Sequence, residues 1–407
     1  MRGTANGYRA LIGCSVANFW PGAFIFSLPG VMAPHWQDAF HVGKGAVGNL
    51  LFFVLASLGI FMFFVGRLQE RVGHRNMITV GSVLCSLNCL MLPFLPNIYA
   101  LYLWAFVNGT SSCFVYIPSL TMVQQWFPLK RGLVSGIVNL VFGLSAAIMT
   151  PVFTYLFISF GYSYMVMLVG FVSLITGTLA TRWTNPPSPE VETYLGALDE
   201  LSGAIYNSFT TSEALHSKSF WNLWLTWALQ GAAGIAMVTL STSFGLSRGF
   251  SLPEAVVILT VFNVGSGLSR IASGYVSDLI GRNITMSVTF LAAGVSYFLM
   301  PWFNNLYVIS LCAGFVGFAF GTLFSVSAPL SVDCFGIKHF GSIFGLMFTS
   351  YGFVAGLAGP TLAGYVLDFT RGNYPLVFGY LGLFCFLAGG LIRYVVPSPS
   401  VLPKSPN

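Results

Sequence analysis

The feature that most constrains this chain is the recurrence of long apolar stretches separated by short polar loops. A helix needs about 20 apolar residues to cross the hydrocarbon core of a bilayer. Charged residues make up only 7% of the 407 residues, whereas soluble domains carry roughly 25%. The sequence therefore predicts an all-α membrane protein and excludes a chain of one or two soluble domains.

Twelve such stretches divide the sequence into two sets of six. The first set lies near Tyr8–Ala33, Gly45–Gly66, Met77–Leu95, Tyr99–Gln124, Gly132–Phe157 and Tyr162–Leu179. The second set lies near Phe220–Phe244, Ala255–Val276, Ile284–Trp302, Leu306–Leu330, Phe340–Val366 and Leu376–Val396. The predicted domains are a six-helix half over residues 1–183, a linker over 184–218 and a second six-helix half over 219–407.

The linker is rich in proline and holds five of the eleven carboxylates, so it is too polar to cross a membrane. We expect it to be cytoplasmic, with one short helix around Val191–Ile205. The distribution of Lys and Arg also supports a cytoplasmic position for the linker. With both termini on the linker side, thirteen of the 17 basic residues lie on that side, three lie on the other and Arg270 lies inside a span. Because cytoplasmic loops carry the excess of basic residues, the sequence predicts a cell-membrane protein with both termini cytoplasmic.

The two sets of six share a loop pattern. "GRLQERVGHR" follows the second span and "GYVSDLIGRN" follows the eighth, and both contain the frame G-x-x-x-acid-x-x-G. The frame is formed by Gly66, Glu70 and Gly73 in the first copy and by Gly274, Asp278 and Gly281 in the second. The matching positions predict a six-plus-six repeat, as transporters built from internal repeats show.

These loops resemble the signature loop of the major facilitator superfamily, whose pattern is roughly G-x-x-x-D-R/K-x-G-R-R/K. The second copy also keeps Arg282, and the first keeps Arg71 and Arg75 with Glu70 in place of Asp. The resemblance covers the whole chain. It implies the twelve-helix major facilitator fold with two six-helix halves. It also implies that the charged loop residues form a cytoplasmic latch between helices, which loosens as the halves rock.

Arg270 is the basic residue that lies inside a span. A charge at that depth costs at least roughly 2.5–3.5 kcal/mol on insertion scales, so it usually lines a cavity or pairs with a partner. All eleven acidic residues lie in loops or at helix ends. A guanidinium binds a carboxylate through two parallel hydrogen bonds, and a second carboxylate would stay uncompensated. Arg270 therefore predicts a small monocarboxylate substrate; the alternative is bonding to backbone carbonyls or to Asp278.

A second resemblance concerns the loop between the fourth and fifth spans. "WFPLKRGLVSG" (Trp126–Gly136) is similar to the loop shared by monocarboxylate transporters and oxalate–formate exchangers, and "FWNLWLTWAL" (Phe220–Leu229) resembles the same group. In that group a substrate-binding Arg precedes the loop Asp by eight residues in the eighth span, which matches Arg270. A Tyr ten residues before the Trp-Phe pair is matched by Tyr116.

The chain departs from both branches of this group. The exchangers carry a Lys in the eleventh span where Tyr351 stands here, and their aromatic cage in the tenth span is replaced by small residues near Gly321 and Ser325. These changes favour a bulkier monoanion such as lactate or pyruvate over oxalate. Animal monocarboxylate transporters carry an Asp where Ser266 stands and a Lys in the first span, which this chain lacks. The proton site is left open between His35 and a proton shared with the substrate.

Several further residues are candidate ligands of the substrate. Each has an alternative interpretation as a helix–helix contact or as ordinary packing. They are Asn263 two turns before Arg270 on its helix face, Asn108, Ser112 and Tyr116 on one polar stripe of the fourth span, the Tyr351 hydroxyl, and Phe24 and Leu28 as an apolar wall on the first span.

Together these features predict a proton-coupled symporter of small monocarboxylates such as L-lactate and pyruvate, working by alternating access. The alternative is a carboxylate exchanger of the oxalate–formate type. We expect no enzyme activity, because the five His residues are scattered and form no pair at metal-ligand spacing. The expected partners are the monocarboxylate anion and membrane lipid. We expect protons as the coupling ion, no metal or other cofactor, no nucleic acid and no obligatory protein partner.

Overall fold

A computed structural model of the protein describes residues 2–127, 131–187, 209–336 and 339–396. All regular elements within these ranges are helical. Twelve helical stretches of the described residues are long and apolar enough to cross a membrane, which confirms the predicted all-α fold with twelve spans. The helix expected around Val191–Ile205 and the loop residues Pro128–Lys130 lie outside the described residues.

The helices fall into two compact units. One comprises Met1–Val42 and Phe53–Gly203, and the other comprises Gly43–Phe52 and Ala204–Asn407. The helices before the predicted linker are α1 (Arg2–Phe26), α2 (Leu28–Phe40), α3 (Lys44–Val72), α4 (His74–Met91), α5 (Ile98–Trp126), α6 (Arg131–Phe160) and α7 (Tyr162–Ala180). The helices after its start are α8 (Thr211–Leu215), α9 (Lys218–Ser247), α10 (Leu252–Ile280), α11 (Arg282–Leu299), α12 (Leu306–Phe335), α13 (Phe340–Thr349), α14 (Leu362–Phe369) and α15 (Tyr374–Leu391). The domain boundaries proposed from the sequence stay a prediction.

The first span is longer than predicted and is interrupted. It continues past Ala33 to Phe40, and the helix breaks at Ser27, whose φ and ψ are −107° and −57°. Pro29 lies in the first turn of α2. Because proline has no N–H and its ring collides with the preceding turn, it is tolerated where a helix restarts but not in a helix interior. The distortion at Ser27 is local, because the Ser27 amide donates to the Ala23 carbonyl at 3.0 Å and the Ser27 carbonyl accepts from the Val31 amide at 3.0 Å.

The eleventh span also departs from a regular α-helix. Between α13 and α14 the backbone forms two π-helical segments, Ser350–Ala355 and Leu357–Thr361. Pro360 lies inside the second segment, where its missing N–H cannot complete an α-helical hydrogen bond. Segments of this kind are frequent at functional sites, and Tyr351, a candidate ligand, lies in the first of them.

The two repeated loops turn in the same way. Gly73 separates α3 from α4 with φ of +89°, and Gly281 separates α10 from α11 with φ of +95°. Only glycine adopts such angles without a steric penalty. The shared glycine of the two sequence copies therefore marks the same helix-to-helix turn in each unit.

The closest helix crossing in the second unit joins α10 and α12. A Cβ atom at Gly317 of α12 would collide with the carbonyl oxygen of Phe262, and one at Gly321 would collide with that of Ser266. Glycines let two backbones approach to contact distance, which is how many membrane helices pack. This crossing fixes the height and rotation of α10, the helix that carries Arg270.

An acidic residue caps the start of α3. Asp368, at the end of α14, accepts hydrogen bonds from the backbone amides of Lys44 at 2.9 Å and Gly45 at 2.8 Å. The Lys44 Nζ atom also donates to the Tyr374 hydroxyl at 3.0 Å. A carboxylate at a helix N-terminus satisfies amides that have no partner within the helix and interacts favourably with the helix dipole. Asp368 thus holds the first turn of α3 to the second unit.

Asp368→Ala is expected to lower the free energy of unfolding by about 1–2 kcal/mol, since both capping bonds are lost. Asp368→Asn should have a smaller effect, because its one carbonyl oxygen can still accept from an amide. Thermal unfolding of the purified protein in detergent measures both changes. Asp38→Ala removes an exposed carboxylate and serves as the control; a loss at position 38 as large as at 368 would contradict the capping role.

Candidate functional site

Arg270 is buried within α10. Its side chain is 4% exposed, and its guanidinium carbon lies 5.2 Å from the centroid of the Phe324 ring on α12. The face of an aromatic ring attracts a cation, and this attraction grows when water is excluded. Phe324 therefore stabilises a buried charge that water does not reach.

Phe324 belongs to a group of five side chains that we call the aromatic cluster. Its members are Trp227, Phe320, Phe324, Phe348 and Tyr351. The Phe324 centroid lies 5.0 Å from Trp227, 5.2 Å from Phe320 and 5.4 Å from Tyr351, and Trp227 lies 4.7 Å from Phe348. Most of these pairs meet edge to face, the favoured geometry for buried rings. The cluster is thus a rigid wall beside Arg270.

The cluster corrects an expectation from the sequence. Small residues near Gly321 and Ser325 were expected to replace the aromatic cage that the exchangers carry in the tenth span. Gly321 instead packs on the α10 backbone, and the Ser325 hydroxyl lies 2.8 Å from that of Ser273 on α10. Because these small residues make the helix contact, the neighbouring Phe324 faces Arg270. The tenth span therefore presents an aromatic ring at the site.

Tyr351 lies where the sequence analysis expected a ligand. Tyr351 is 2% exposed, and its ring centroid lies 5.4 Å from that of Phe324, the ring that the Arg270 guanidinium faces. The hydroxyl has no hydrogen-bond partner in the part of the chain that the structure describes. Asn263, two turns before Arg270, is also buried on α10. Arg270 and Tyr351 therefore lie against the same ring, Phe324, in the second unit.

Helix α9 contributes two side chains to the site that were not predicted from the sequence. Trp227 packs in the aromatic cluster, and Gln230 follows it one turn later with its side chain fully buried. The indole N–H of Trp227 and both amide atoms of Gln230 lack hydrogen-bond partners among residues 2–127, 131–187, 209–336 and 339–396. A glutamine inside the apolar run from Trp224 to Val238 is the sequence signal that could have found it.

The candidates of the first unit are engaged in hydrogen bonds between helices. The Tyr116 hydroxyl donates to Asn139 Oδ1 at 2.6 Å, and its ring centroid lies 5.3 Å from that of Phe142. Asn108 is fully buried, and its amide donates to the Phe24 carbonyl oxygen at 3.4 Å. Asn139 is a partner of Tyr116 that the sequence analysis did not name.

The candidates on the first span are buried against neighbouring side chains. Phe24 and Leu28 are 0% and 1% exposed, and the Ser27 hydroxyl between them lies 2.8 Å from that of Thr150. His35 is enclosed by rings, with centroids 4.6 Å from Tyr162 and 5.2 Å from Phe157. Their binding roles stay predictions.

The latch role of the signature-loop residues stays a prediction, and the structure shows an ion pair in the second loop. Arg282 forms a salt bridge with Asp333 at 2.5 Å, joining the start of α11 to the end of α12. Asp278 is exposed on the last turn of α10, near Gly274. Asp333 was not predicted from the sequence, because the approach of two helix ends has no sequence signal.

In the first loop, Arg75 donates to the Asn185 side-chain carbonyl at 3.0 Å. Arg71 is exposed on α3. The side chain of Glu70 is outside the described part of the structure. The first loop therefore provides one polar contact between α4 and the segment after α7.

Comparison with known proteins gives one family match. The family model described as "Major Facilitator Superfamily" matches residues 17–269 and 247–407. The oxalate:formate antiporter of Oxalobacter formigenes is 25% identical over 75% of this chain and 71% of its own length. Monocarboxylate transporter 2 of Meriones unguiculatus is 24% identical over 87% of this chain and 76% of its own length. Human monocarboxylate transporter 14 is 22% identical over 92% of this chain and 88% of its own length.

Proposed function

This chain belongs to the Major Facilitator Superfamily, and we propose that within this family of carriers it transports small monocarboxylates such as L-lactate. Twelve apolar helices make it an integral membrane protein. The observation that carries the proposal is Arg270, a buried cation on a membrane-spanning helix, held against Phe324. Two relatives named as monocarboxylate transporters and one named as an oxalate:formate antiporter support a small carboxylate as cargo.

The charge at the site favours one carboxylate over two. A planar guanidinium offers two parallel donors to a carboxylate. Tyr351, whose ring also contacts Phe324, adds a neutral hydroxyl to the site, and the aromatic cluster is apolar. A second carboxylate would be desolvated there without compensation, at a high cost. A short acid with one carboxylate and a small carbon chain matches these groups.

Proton coupling follows from the same charge balance. Arg270 with a bound carboxylate is a neutral pair, and the guanidinium stays protonated at all physiological pH values. Carboxylic acids have pKa values near 4, so the substrate arrives as an anion and a proton that joins it weakens its hold on Arg270. We propose electroneutral symport of one proton with one anion, by alternating access, in a cell membrane with both termini cytoplasmic.

Uptake of labelled L-lactate into proteoliposomes tests this proposal. An inward proton gradient should drive accumulation, a protonophore should abolish it, and a membrane potential imposed at equal pH should leave it unchanged. The counter-hypothesis is exchange, which the relative named as an antiporter suggests. Uptake that ignores the proton gradient and requires a trapped internal carboxylate would replace symport by exchange. Absence of uptake under both conditions would refute lactate as the substrate.

A further inference from the structure

Gln230 is a buried amide that the packing of the second unit leaves unsatisfied. Its side chain is 0% exposed, and both its Nε2 and its Oε1 atom lack a hydrogen bond to any residue that the structure describes. Buried polar groups are nearly always hydrogen-bonded, because leaving them without a partner forfeits the bonds they made to water. An amide with both ends unpaired therefore points to a partner outside the chain.

The position of Gln230 places it on the face of α9 that meets the aromatic cluster. Trp227, one turn before it, contacts Phe324 and Tyr351. A Cβ atom at Gly234, one turn after it, would collide with Phe320. Residues three and four apart share one helix face. Gln230 therefore lies between two contacts to the wall beside Arg270.

The neighbouring glycine defines how close this face comes to Tyr351. A Cβ atom at Gly231 would lie 2.8 Å from the Tyr351 ring, so α9 and the first π-helical segment are in direct contact there. The Tyr351 ring centroid lies 5.4 Å from that of Phe324, the ring that the Arg270 guanidinium faces. Gln230 thus lies beside the cluster that contacts Arg270, and its amide offers a donor and an acceptor rather than a second charge.

These observations rest on the proposed carboxylate transport and extend it. We propose that Gln230 determines substrate specificity by hydrogen bonding to an oxygen on the carbon next to the carboxylate. The amide Nε2 donates to a 2-hydroxyl or 2-oxo oxygen, and Oε1 accepts from a 2-hydroxyl. The substrate class is therefore the short 2-hydroxy and 2-oxo monocarboxylates. An acid without that oxygen leaves the amide unsatisfied, and sites built to bond an oxygen discriminate strongly against analogues lacking it.

The test compares L-lactate with propionate, which has the same carbon skeleton without the 2-oxygen. Their kcat/KM values are measured in proteoliposomes for the wild type and for Gln230→Met, which keeps the side-chain length and removes the amide. The wild type should prefer lactate by about 100-fold, the size expected when one buried amide is left without its hydrogen bond. In Gln230→Met the lactate value should fall to near that of propionate, while the propionate value stays within about three-fold, since a hydrophobic contact changes little.

Each other outcome overturns a defined claim. A wild type that transports both acids equally well refutes the role of Gln230 and leaves monocarboxylate transport intact. A Gln230→Met variant that loses lactate and propionate transport in the same proportion shows a structural role instead. A wild type that transports neither acid refutes the proposed function itself. Should Gln230→Met not fold, Gln230→Leu and the preference of the wild type decide the question.

Discussion

Arg270→Lys is expected to lower the kcat/KM of L-lactate transport by about 100-fold, equivalent to about 2.8 kcal/mol. The lysine keeps the charge but loses the two parallel donors that bind a carboxylate. It also changes the contact with Phe324, whose ring centroid lies 5.2 Å from the guanidinium carbon. A hydrogen bond to a charged group is worth about 1.5–3 kcal/mol, so the loss of one such bond and its alignment accounts for the expected effect. Uptake kinetics in proteoliposomes measure it.

Arg248 provides a matched control for this substitution. It lies at the end of α9 with its guanidinium carbon 5.0 Å from the Phe244 ring, so it is also an arginine stacked on a phenylalanine. It is outside the aromatic cluster. Arg248→Lys should leave lactate transport within about two-fold of the wild type, in keeping with small surface effects. Equal losses from the two substitutions, or full activity of Arg270→Lys, would refute Arg270 as the substrate anchor.

Gly317→Ala is expected to lower the free energy of unfolding by about 3 kcal/mol, the upper end of the usual range for overpacking. The added methyl group would collide with the carbonyl oxygen of Phe262, and it would lie 2.8 Å from the carbonyl carbon of the same residue. Backbone atoms inside a helix cannot rotate aside as a side chain can. The helices α10 and α12 would have to separate, so Arg270 would also shift against Phe324 and lactate transport would fall. Thermal unfolding in detergent and uptake measure the two effects.

Gly379→Ala adds the same methyl group to α15, where a Cβ atom meets nothing within 4 Å. Alanine favours a helix over glycine by about 1 kcal/mol, so this variant should be as stable as the wild type or more stable. The two substitutions thus differ in the sign of their effect. A gain in stability at both positions would show that the α10–α12 crossing is looser than described.

Much of the fold could be predicted from the sequence because spans and turns are local properties. Apolar length located the twelve spans, and the shared frame located Gly73 and Gly281, whose positive φ angles require glycine. The distortion at Ser27 had no such signal, since prolines also lie inside the uninterrupted helices α5, α6 and α12. The extension of the first span to Phe40 had none, because polar residues at a helix end lie at the membrane surface.

The site could be predicted only in part, because its contacts depend on how neighbouring helices are rotated. Arg270 was identifiable as a charge inside an apolar stretch. The ring beside it was not, since the rotation of α12 that packs Gly321 on the α10 backbone also turns Phe324 toward Arg270, and that rotation depends on the neighbouring helices. The same holds for the partner of Arg282, Asp333. Gln230 could be seen as polar in the sequence, but only the packing of α9 shows it to be unsatisfied.

Equilibrium binding of radiolabelled L-lactate to the purified protein tests the central claim most directly, because it separates recognition from transport and coupling. The measurement compares the wild type with Arg270→Lys, and Arg248→Lys is the control. One saturable site per chain is expected in the wild type and in the control, with affinity lowered by about 100-fold in Arg270→Lys. Saturable binding of equal affinity in all three proteins would contradict the account, because the carboxylate would then be held by residues other than Arg270.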